Sequence, residues 1–560
     1  MSALADVPPA EFPSPFFSIV TPVYNPPLTA LADMIASVQA QTFSNWELIC
    51  VDDYSPNPQV LTLLQEAAAR DSRIKVIARE ANGHIVKASN DGIKAAHGEF
   101  IALLDHDDLL TPDALAEMAQ VIAVDPQVDY LYSDDDKVSE DYQFYNEFRK
   151  SDWAPERMRG QNLTSHFSVI RTKLVQQLGG FREGFEGSQD YDLFLRVTEK
   201  ARKVVHIPKI LYHWKAVVGS AALDDQAKPY AYDAALKALD EHLHRVGISG
   251  HAEHINLREW PGTYRIVRDP IPADVLVSVV IPTKGVAGYV WGEDRVFVVT
   301  AVRSLLEHGG HPNLEIIIVY DSSTPDSVLA ELVSICPPGV LKLIEYAETF
   351  NFSRKCNIGV LAACGEVVLL LNDDIEITGR RFISNLIAPL LEPVPPGTAV
   401  VGVTGARLLY PDSTIQHAGI EVNDGAYFHS LMHELDEEPG LWGSLLINRE
   451  VTAVTGACLA IKRELYLQLG GLSENLPNNY NDIDLCLKAW RAGYRVVWLA
   501  DARAYHFESQ SRQNLVHDWE LEFLNNRWWQ PPQDPYMPPT HERRERHQQL
   551  FDFAALSANN

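Results

Sequence analysis

The sequence lacks an apolar run long enough to cross a lipid bilayer, and its first fifteen residues have neither a positive start nor an apolar secretion signal. Basic residues are also scarce, because 47 Lys and Arg stand against 75 Asp and Glu, for a formal net charge of −28. A nucleic-acid-binding protein needs a basic surface, so that class is excluded. The same charge argues against adsorption of the whole body to anionic lipid, although a local basic patch could still dock. We therefore expect a cytoplasmic protein.

Cysteine is rare and scattered. The six cysteines show no CxxC spacing and stand at positions 50, 336, 356, 364, 458 and 486. Several lie inside apolar runs, so we expect buried free thiols in a reducing compartment.

What the chain does contain is a repeated pattern. Residues 98–108 read GEFIALLDHDD, and residues 365–374 read GEVVLLLNDD. Each apolar run predicts a buried central strand, and the oxygen-bearing side chains follow at its carboxyl end, where α/β sheets place ligands. At 560 residues the chain is too long for one core. Two copies about 270 residues apart therefore indicate two sites in two domains.

Strands and helices alternate in the same order in both halves, which predicts α/β domains with mostly parallel central sheets. In the first half we expect strands at 18–25, 46–53 and 73–78, helices at 31–38 and 85–96, and a strand that ends at 105. In the second half we expect strands at 278–285, 314–323 and 340–346, helices near 298–307 and 353–363, and a strand that ends at 372. The predicted division is an extension 1–15, domain one 16–255, a linker 256–274, domain two 275–515 and a helical tail 516–560.

The spacing of polar residues supports a duplication. Three intervals agree to within one position between the halves: Asp53 to Asn90 with Asp321 to Asn357, Asn90 to Asp105 with Asn357 to Asn372, and Asp190 to His213 with Asp482 to His506.

The acidic strand end of the first half brings Asp105, Asp107 and Asp108 together. Such a carboxylate cluster repels itself unless a cation is present, and oxygen ligands suit Mg²⁺ or Mn²⁺. An isolated acidic turn is more often merely solvated. Here the buried strand and the recurrence favour a metal site.

Asp190 and Asp482 each begin an amphipathic helix, and His213 and His506 follow them near strand ends. A helix-start aspartate is often only a cap, and a lone histidine is often structural. Recurrence in both halves favours a chemical role for these four residues.

The ordered motifs PVYN, VDD, NDGI, LLDHDD, QDYDL and HW make the first half resemble a family 2 glycosyltransferase with the GT-A fold, a Rossmann-like nucleotide-diphospho-sugar transferase fold. In the second half FNFSRKCNIGV, VVLLLNDDIEI, IQHAGI, VTAVTGACLAIKR, NDIDLCLKAWRAGYRVVW and HFESQSR resemble bacterial O-antigen and rhamnan-type polysaccharide glycosyltransferases. The resemblance covers roughly residues 16–255 and 275–535.

The resemblance implies roles for individual residues. Asp190 and Asp482 would be general bases. The nucleotide-sugar donor would be bound by Pro22, Tyr24, Asn25, Asp53, Lys87, Asn90, Pro282, Lys284, Asp321, Arg354, Asn357 and Gly456. A divalent metal would be bound by Asp105, Asp107 and His213 in the first half and by Asn372, Asp374 and His506 in the second.

Three positions depart from the family pattern. Gln189 precedes the first base where many relatives carry Glu, which changes the acceptor geometry without removing the base. Asn372 replaces the first metal-binding aspartate and should weaken metal affinity. Lys284 replaces an asparagine-type residue, and whether it pairs with phosphate or stays in solvent is open.

The resemblance implies a bifunctional inverting enzyme that adds sugars to a bacterial surface polysaccharide by metal-assisted single displacement. Its partners would be nucleotide-sugar donors and a glycan or lipid-linked acceptor, with peripheral association at the inner membrane as an option. The alternatives are one catalytic half beside an acceptor-binding or structural half, or two non-catalytic glycan-binding scaffolds. A dinucleotide oxidoreductase is disfavoured because no GxGxxG follows the first strand of either domain.

The donor sugar and its nucleotide (UDP, dTDP or GDP) are left open. The tail, with Trp528, Trp529 and the Arg543–Arg546 cluster, is either a weak membrane or partner contact or a packed helix with a solvated arm.

Overall fold

The computed structural model describes residues 13–216, 229–256, 258–393, 398–507, 517–528 and 534–537. Most of the predicted N-terminal extension lies outside these residues. So do the end of the HFESQSR segment, Trp529 and the Arg543–Arg546 cluster.

The first half alternates strands and helices from the start of the described chain. Its elements are β1 (Phe17–Val23), α1 (Leu28–Gln39), β2 (Trp46–Asp52), α2 (Pro58–Arg70), β3 (Ile74–Ala78), α3 (His84–Ala95), β4 (Phe100–Leu103), β5 (Leu109–Leu110), α4 (Ala114–Val124), β6 (Tyr130–Val138), β7 (Phe144–Phe148), α5 (Pro155–Gly160), β8 (Ser168–Arg171), α6 (Thr172–Gln177), α7 (Gln189–Thr198), β9 (Val204–Lys215), α8 (Pro229–Val246), β10 (Gly250–His254) and β11 (Tyr264–Arg268).

The second half repeats this order with additional short strands. Its elements are β12 (Val277–Thr283), β13 (Ala287–Val290), β14 (Glu293–Val296), α9 (Phe297–His308), β15 (Leu314–Asp321), α10 (Asp326–Ile335), β16 (Leu341–Tyr346), α11 (Phe352–Ala362), β17 (Val367–Leu371), β18 (Ile375–Ile377), α12 (Phe382–Leu391), β19 (Val401–Leu409), β20 (Ile415–His417), β21 (Ile420–Asn423), β22 (Ala426–His429), β23 (Arg449–Glu450), β24 (Cys458–Lys462), α13 (Arg463–Gln468), α14 (Asn481–Arg491), β25 (Arg495–His506) and α15 (Asp518–Arg527).

Each half is built on one large sheet, and the two sheets have the same strand order. The first runs β3-β2-β1-β4-β8-β6-β9-β5, and the second runs β16-β15-β12-β17-β24-β19-β25-β18. The first four strands of each are parallel, as predicted, whereas β8 and β24 enter antiparallel. After β1 the chain forms β2 and β3 on one side of β1, and it then returns to place β4 on the other side of β1. Such a reversal of strand order opens a crevice at the carboxyl ends of the strands.

A buried serine network joins the first strand to its neighbours identically in both halves. Ser18 Oγ donates to Glu47 at 2.6 Å and accepts from the backbone N–H of Gly98 at 2.8 Å. Ser278 does the same with Glu315 and Gly365, at the same two distances. The glycine that begins each repeated motif is required because an added Cβ would lie 2.6 Å from Ser18 N or Leu276 O. This shared network supports duplication of one ancestral domain.

The predicted linker is not a plain connection. Within it, β11 pairs antiparallel with β10 of the preceding segment, and the resulting hairpin packs against α8 and α5. The division at 256–274 therefore stays a prediction, because ordered structure crosses it.

Buried charges join the two halves. Arg268 bridges Glu156 of the first half, at 2.8 Å, and Glu392 of the second half. Burial alone would raise the pKa of Glu156, but the charges of Arg268, Arg159 and Arg495 outweigh it and hold the pKa at about 2. The halves thus meet through a charge network at whose centre Glu156 and Arg268 are buried and paired with each other.

The remaining sequence predictions concern membrane spans and cysteines. Among the described residues, every helix is too short or too polar to span a bilayer. Five of the cysteines are buried free thiols, as predicted, whereas Cys364 is exposed.

Candidate active sites

Asp53 and Asp321 lie at the carboxyl ends of β2 and β15, each against a cation. Asp53 Oδ1 lies 2.5 Å from Arg79 Nη1 and accepts from the Gly83 N–H at 2.9 Å. Asp321 Oδ1 lies 2.8 Å from Nζ of the buried Lys355. The structure therefore shows an oriented carboxylate in each half at a position predicted to bind the nucleotide-sugar donor.

The side chains of Asn90 and Asn357 each hydrogen-bond to the backbone of a loop and do not project freely into the crevice. The Asn90 amide donates to Phe181 O and accepts from Phe181 N, both at 2.9 Å. Asn357 makes the same pair of bonds to Leu472, at 3.0 and 3.1 Å. Each clamped loop leads towards the helix with the predicted base. The structure thus shows both asparagines positioning that loop, and direct contact with the donor stays a prediction.

The other predicted donor-binding residues lie around the same strand ends. Pro22 belongs to β1 and Pro282 belongs to β12. After β1 come the exposed Tyr24 and then Asn25, whose backbone N–H donates to Ser55 Oγ at 2.9 Å. Lys284 Nζ lies 4.8 Å from the centre of the Phe350 ring.

Lys87 and Arg354 lie on the corresponding helices α3 and α11 and face acids. Lys87 Nζ lies 3.6 Å from Glu183, whereas Arg354 pairs with Glu348 at 2.6 Å and with Glu474 at 3.3 Å. Because these pairs are solvent-exposed, they are weak enough to be exchanged for a ligand anion.

The acidic turn of the first half is a true carboxylate cluster. Asp108 is buried and accepts from Tyr212 Oη and from the Lys215 N–H. Its burial, together with the charges of Asp107 and Asp105, raises its pKa well above the ordinary range. A cation at this turn would relieve that repulsion.

The second acidic turn contacts its histidine directly. His506 Nε2 lies 3.1 Å from Asp374 Oδ1 and 3.4 Å from Asn372 Nδ2. Between them in sequence, Asp373 accepts from Thr283 Oγ1 at 2.6 Å. Its burial and the charge of Asp374 raise the pKa of Asp373 to about 7.

Both histidines are oriented through Nδ1 by a side-chain oxygen from another strand. His213 Nδ1 lies 2.5 Å from Asp136 Oδ1, and His506 Nδ1 lies 2.7 Å from Gln416 Oε1. An acceptor at Nδ1 is the usual way to direct Nε2 towards a metal or phosphate. In the part of the chain that the structure describes, no three His, Cys, Asp or Glu side chains are arranged to hold a metal by themselves. The buried Asn372 Oδ1, which accepts no hydrogen bond from the described residues, fits a cation that takes its other ligands from phosphate.

The two acidic turns differ by one residue. Ile101 and Val368 pair with the matched serines of β1 and β12, and Leu109 and Ile375 pair with the two histidines. The turn spans eight positions in the first half and seven in the second. Counted forward from Ile101 and Val368, Asp107 corresponds to Asp374, as the sequence suggested. Counted back from Leu109 and Ile375, the residue that corresponds to Asp374 is Asp108. The extra residue explains why Asp108 is bound by β9.

The predicted bases begin α7 and α14 as expected. Asp190 Oδ2 accepts from Asn162 Nδ2 at 3.0 Å, and Asp482 Oδ2 accepts from the Gly456 N–H at 2.8 Å. Burial raises the pKa of Asp190, and the charge of Asp105 adds to the rise. The first base therefore lies within electrostatic range of the acidic turn.

Sequence reasoning missed several residues that orient these groups. They are Arg79, Asp136, Asn162, Lys355, Gln416 and His417, whose Nε2 accepts from the Thr455 N–H at 3.3 Å. Three of them left a signal, because Gln416 and His417 lie in the IQHAGI segment and Lys355 lies in FNFSRKCNIGV. The others act across the fold, and their spacing from the motifs has no period.

Family models match both halves of the chain. Residues 18–179 match the model described as Glycosyl transferase family 2, and residues 277–530 match the model described as Glycosyltransferase like family 2. The chain is 40% identical over 527 residues to the uncharacterized protein y4gI of Sinorhizobium fredii, covering 92% of this chain and 56% of that protein. It is 34% identical over 532 residues to the O-antigen biosynthesis protein RfbC of Myxococcus xanthus, covering 94% and 40%. The chain thus spans about half the length of these relatives or less.

Among solved structures, the chain is similar to S. aureus TarS 1-349 in complex with UDP-GlcNAc, with 22% sequence identity and a TM-score of 0.34. The match covers 41% of this chain and 66% of the TarS chain. The shared strand order of the two sheets and the two family matches identify the fold.

Proposed function

Because the chain belongs to glycosyltransferase family 2, we propose that each half transfers a sugar from a nucleotide-diphospho-sugar to a growing bacterial surface polysaccharide. The observation that carries this proposal is the pair of oriented carboxylates, Asp190 and Asp482. Asp190 lies within electrostatic range of Asp105, and Asp482 accepts from the N–H of Gly456, whose neighbour Ala457 accepts from the Asn372 N–H. A module that only bound glycans would have no use for a base at this position.

The proposed mechanism is a single displacement that inverts the anomeric carbon. A sugar hydroxyl is a poor nucleophile, so Asp190 or Asp482 accepts its proton as the oxygen attacks. Asp53 and Asp321 would hold the nucleobase. Asp105, Asp107 and His213, or Asn372, Asp374 and His506, would hold Mg²⁺ or Mn²⁺ beside the diphosphate. Such an ion neutralises the charge that builds on the leaving group.

The acceptor we propose is a glycan or lipid-linked glycan at the cytoplasmic face of the inner membrane, as in O-antigen, capsule or rhamnan synthesis. Support comes from the relative RfbC, named an O-antigen biosynthesis protein. The motif resemblance favours a deoxysugar such as rhamnose.

One observation favours a second candidate function. Asn372 gives the second half a neutral ligand where the first half has Asp105. In this alternative only the first half transfers sugar, and the second half binds the acceptor.

The test is to assay Asp190→Asn and Asp482→Asn separately with a panel of sugar nucleotides and a synthetic acceptor. Two functional halves predict that each variant loses a different linkage. Glu117→Gln and Asp326→Asn are matched controls, because each removes an acid from the first turn of a helix that contains none of the predicted site residues. Full polymer synthesis by either base variant would contradict two transfers.

A further inference from the structure

We propose that the second half of the chain positions the base of the first half, acting through residues 155–162, which we term the bridging segment. The proposal rests on the proposed function, in which Asp190 is the base of the first transfer. It assigns Glu450 and Asn162 as positioning residues for that transfer.

Glu450, a second-half residue on β23, caps the start of the bridging segment. Its carboxylate accepts from the Glu156 N–H at 3.0 Å and from the Arg157 N–H at 3.4 Å. Arg495 holds the same carboxylate at 2.6 Å, and Glu450 is only 1% exposed. The first-turn N–H groups of α5 have no partner within their own helix, so a residue of the other half completes this helix.

The end of the bridging segment also rests on the second half. Gly160 closes α5 directly against Ile447, where an added Cβ would lie 2.7 Å from the isoleucine side chain. Close packing of this kind leaves the backbone little room to shift. Both ends of α5 are thus set by residues almost 300 positions later in the chain.

The bridging segment in turn contacts the base and its neighbour. Tyr191 Oη donates to Met158 O at 2.5 Å, which ties the first turn of α7 to α5. Asn162 Nδ2 donates to Asp190 Oδ2 at 3.0 Å. A carboxylate that must take a proton from an incoming hydroxyl works only within hydrogen-bond reach and at the correct angle.

This arrangement is asymmetric between the halves. Asn162 lies eight positions before Ile170, and the residue eight positions before the matching Ile461 is Ala453. Asp482 is held instead by a backbone N–H, from Gly456 of its own half. Removing the inter-domain contact should therefore impair the first transfer and spare the second.

The test separates the two transfers by using each base variant as a background. In the Asp482→Asn protein only the first transfer remains, and there Glu450→Ala should lower kcat about 10- to 100-fold while the donor KM stays within about twofold. Glu450→Gln should restore most of the rate, because its amide oxygen can still accept from the α5 N–H groups. In the Asp190→Asn protein the second transfer should survive both changes.

A variant with a smaller perturbation guards against misfolding of the Glu450→Ala protein. Asn162→Ala breaks only the last contact of the series and should lower the first kcat. It should also move the acid limb of the first-transfer pH profile upward, because the charged carboxylate loses a donor. Arg265→Gln is the matched control, since it breaks the 2.8 Å inter-domain ion pair with Asp501 beside the bridging segment and leaves the hydrogen bonds of Glu450 and Asn162 in place.

The outcomes are distinct. Equal loss of both transfers in Glu450→Ala, or an unchanged first transfer in Asn162→Ala, overturns the positioning role. If the Asp482→Asn protein shows no first transfer before any further change, the proposed function fails, and the positioning role with it.

Discussion

Nζ of Lys355 lies 2.8 Å from Oδ1 of Asp321, and it also donates to Thr283 O at 2.9 Å. In the first half the matching aspartate is paired with Arg79, which follows β3. The helix position that corresponds to the lysine, two residues before the clamping asparagine, is Ala88. The two halves therefore orient the same carboxylate with cations from different elements.

We expect Lys355→Met to raise the donor KM of the second transfer about tenfold, because Asp321 loses the charge that orients it. The first transfer should be unaffected, and Arg79→Met should give the reverse result. Each KM is measured in the background that lacks the other base. Loss of a buried partner also costs about 3–5 kcal/mol of stability, so thermal unfolding is recorded alongside. Unchanged donor KM values in both variants would contradict this role.

The first transfer should depend on pH through Asp190. Burial raises the pKa of Asp190, and the base works only when ionised. As the pH falls, kcat/KM for the first transfer should therefore decline while an ordinary aspartate, with a pKa of about 3.9, would still be ionised. The profile is measured in the Asp482→Asn protein. An acid limb at the ordinary value would refute the prediction.

The two acidic turns should differ in metal affinity. Asn372→Asp adds a charged ligand and should lower the Mn²⁺ concentration for half-maximal second transfer about tenfold. Asp105→Asn should raise that concentration for the first transfer. The measurement is a metal titration after chelator treatment, with the unaltered half as an internal control. Activity that survives chelation in both halves would rule out a metal role.

Gly365→Ala should destabilise the second half by about 1–3 kcal/mol, because the added Cβ would lie 2.6 Å from Leu276 O. Gly379→Ala is the control, since its Cβ would meet nothing closer than Arg503 O at 3.8 Å. Both are compared by denaturant unfolding of the full chain. Equal stabilities would show that the strand start can relax.

Much of the fold was predictable because its signals are local. Apolar runs such as Val367–Leu371 and the alternation with amphipathic helices identified the parallel strands within a few residues. The hairpin of β10 and β11 was missed, because proline and charge near 256–274 are typical of linkers. The one-residue difference in length between the acidic turns was also not predicted, since the sequences of both turns end in two consecutive aspartates.

The sequence by itself determined that two acidic strand ends, two helix-start aspartates and two strand-end histidines recur in one order. Apolar period and spacing along the chain carry that information. Only the tertiary structure decided which groups orient them: Arg79 or Lys355 on the aspartates, Asp136 or Gln416 on the histidines, and Glu450 on the bridging segment. These contacts depend on the packing of elements far apart in sequence, up to 294 positions for Glu156 and Glu450. A contact of that kind leaves no periodic trace in the sequence.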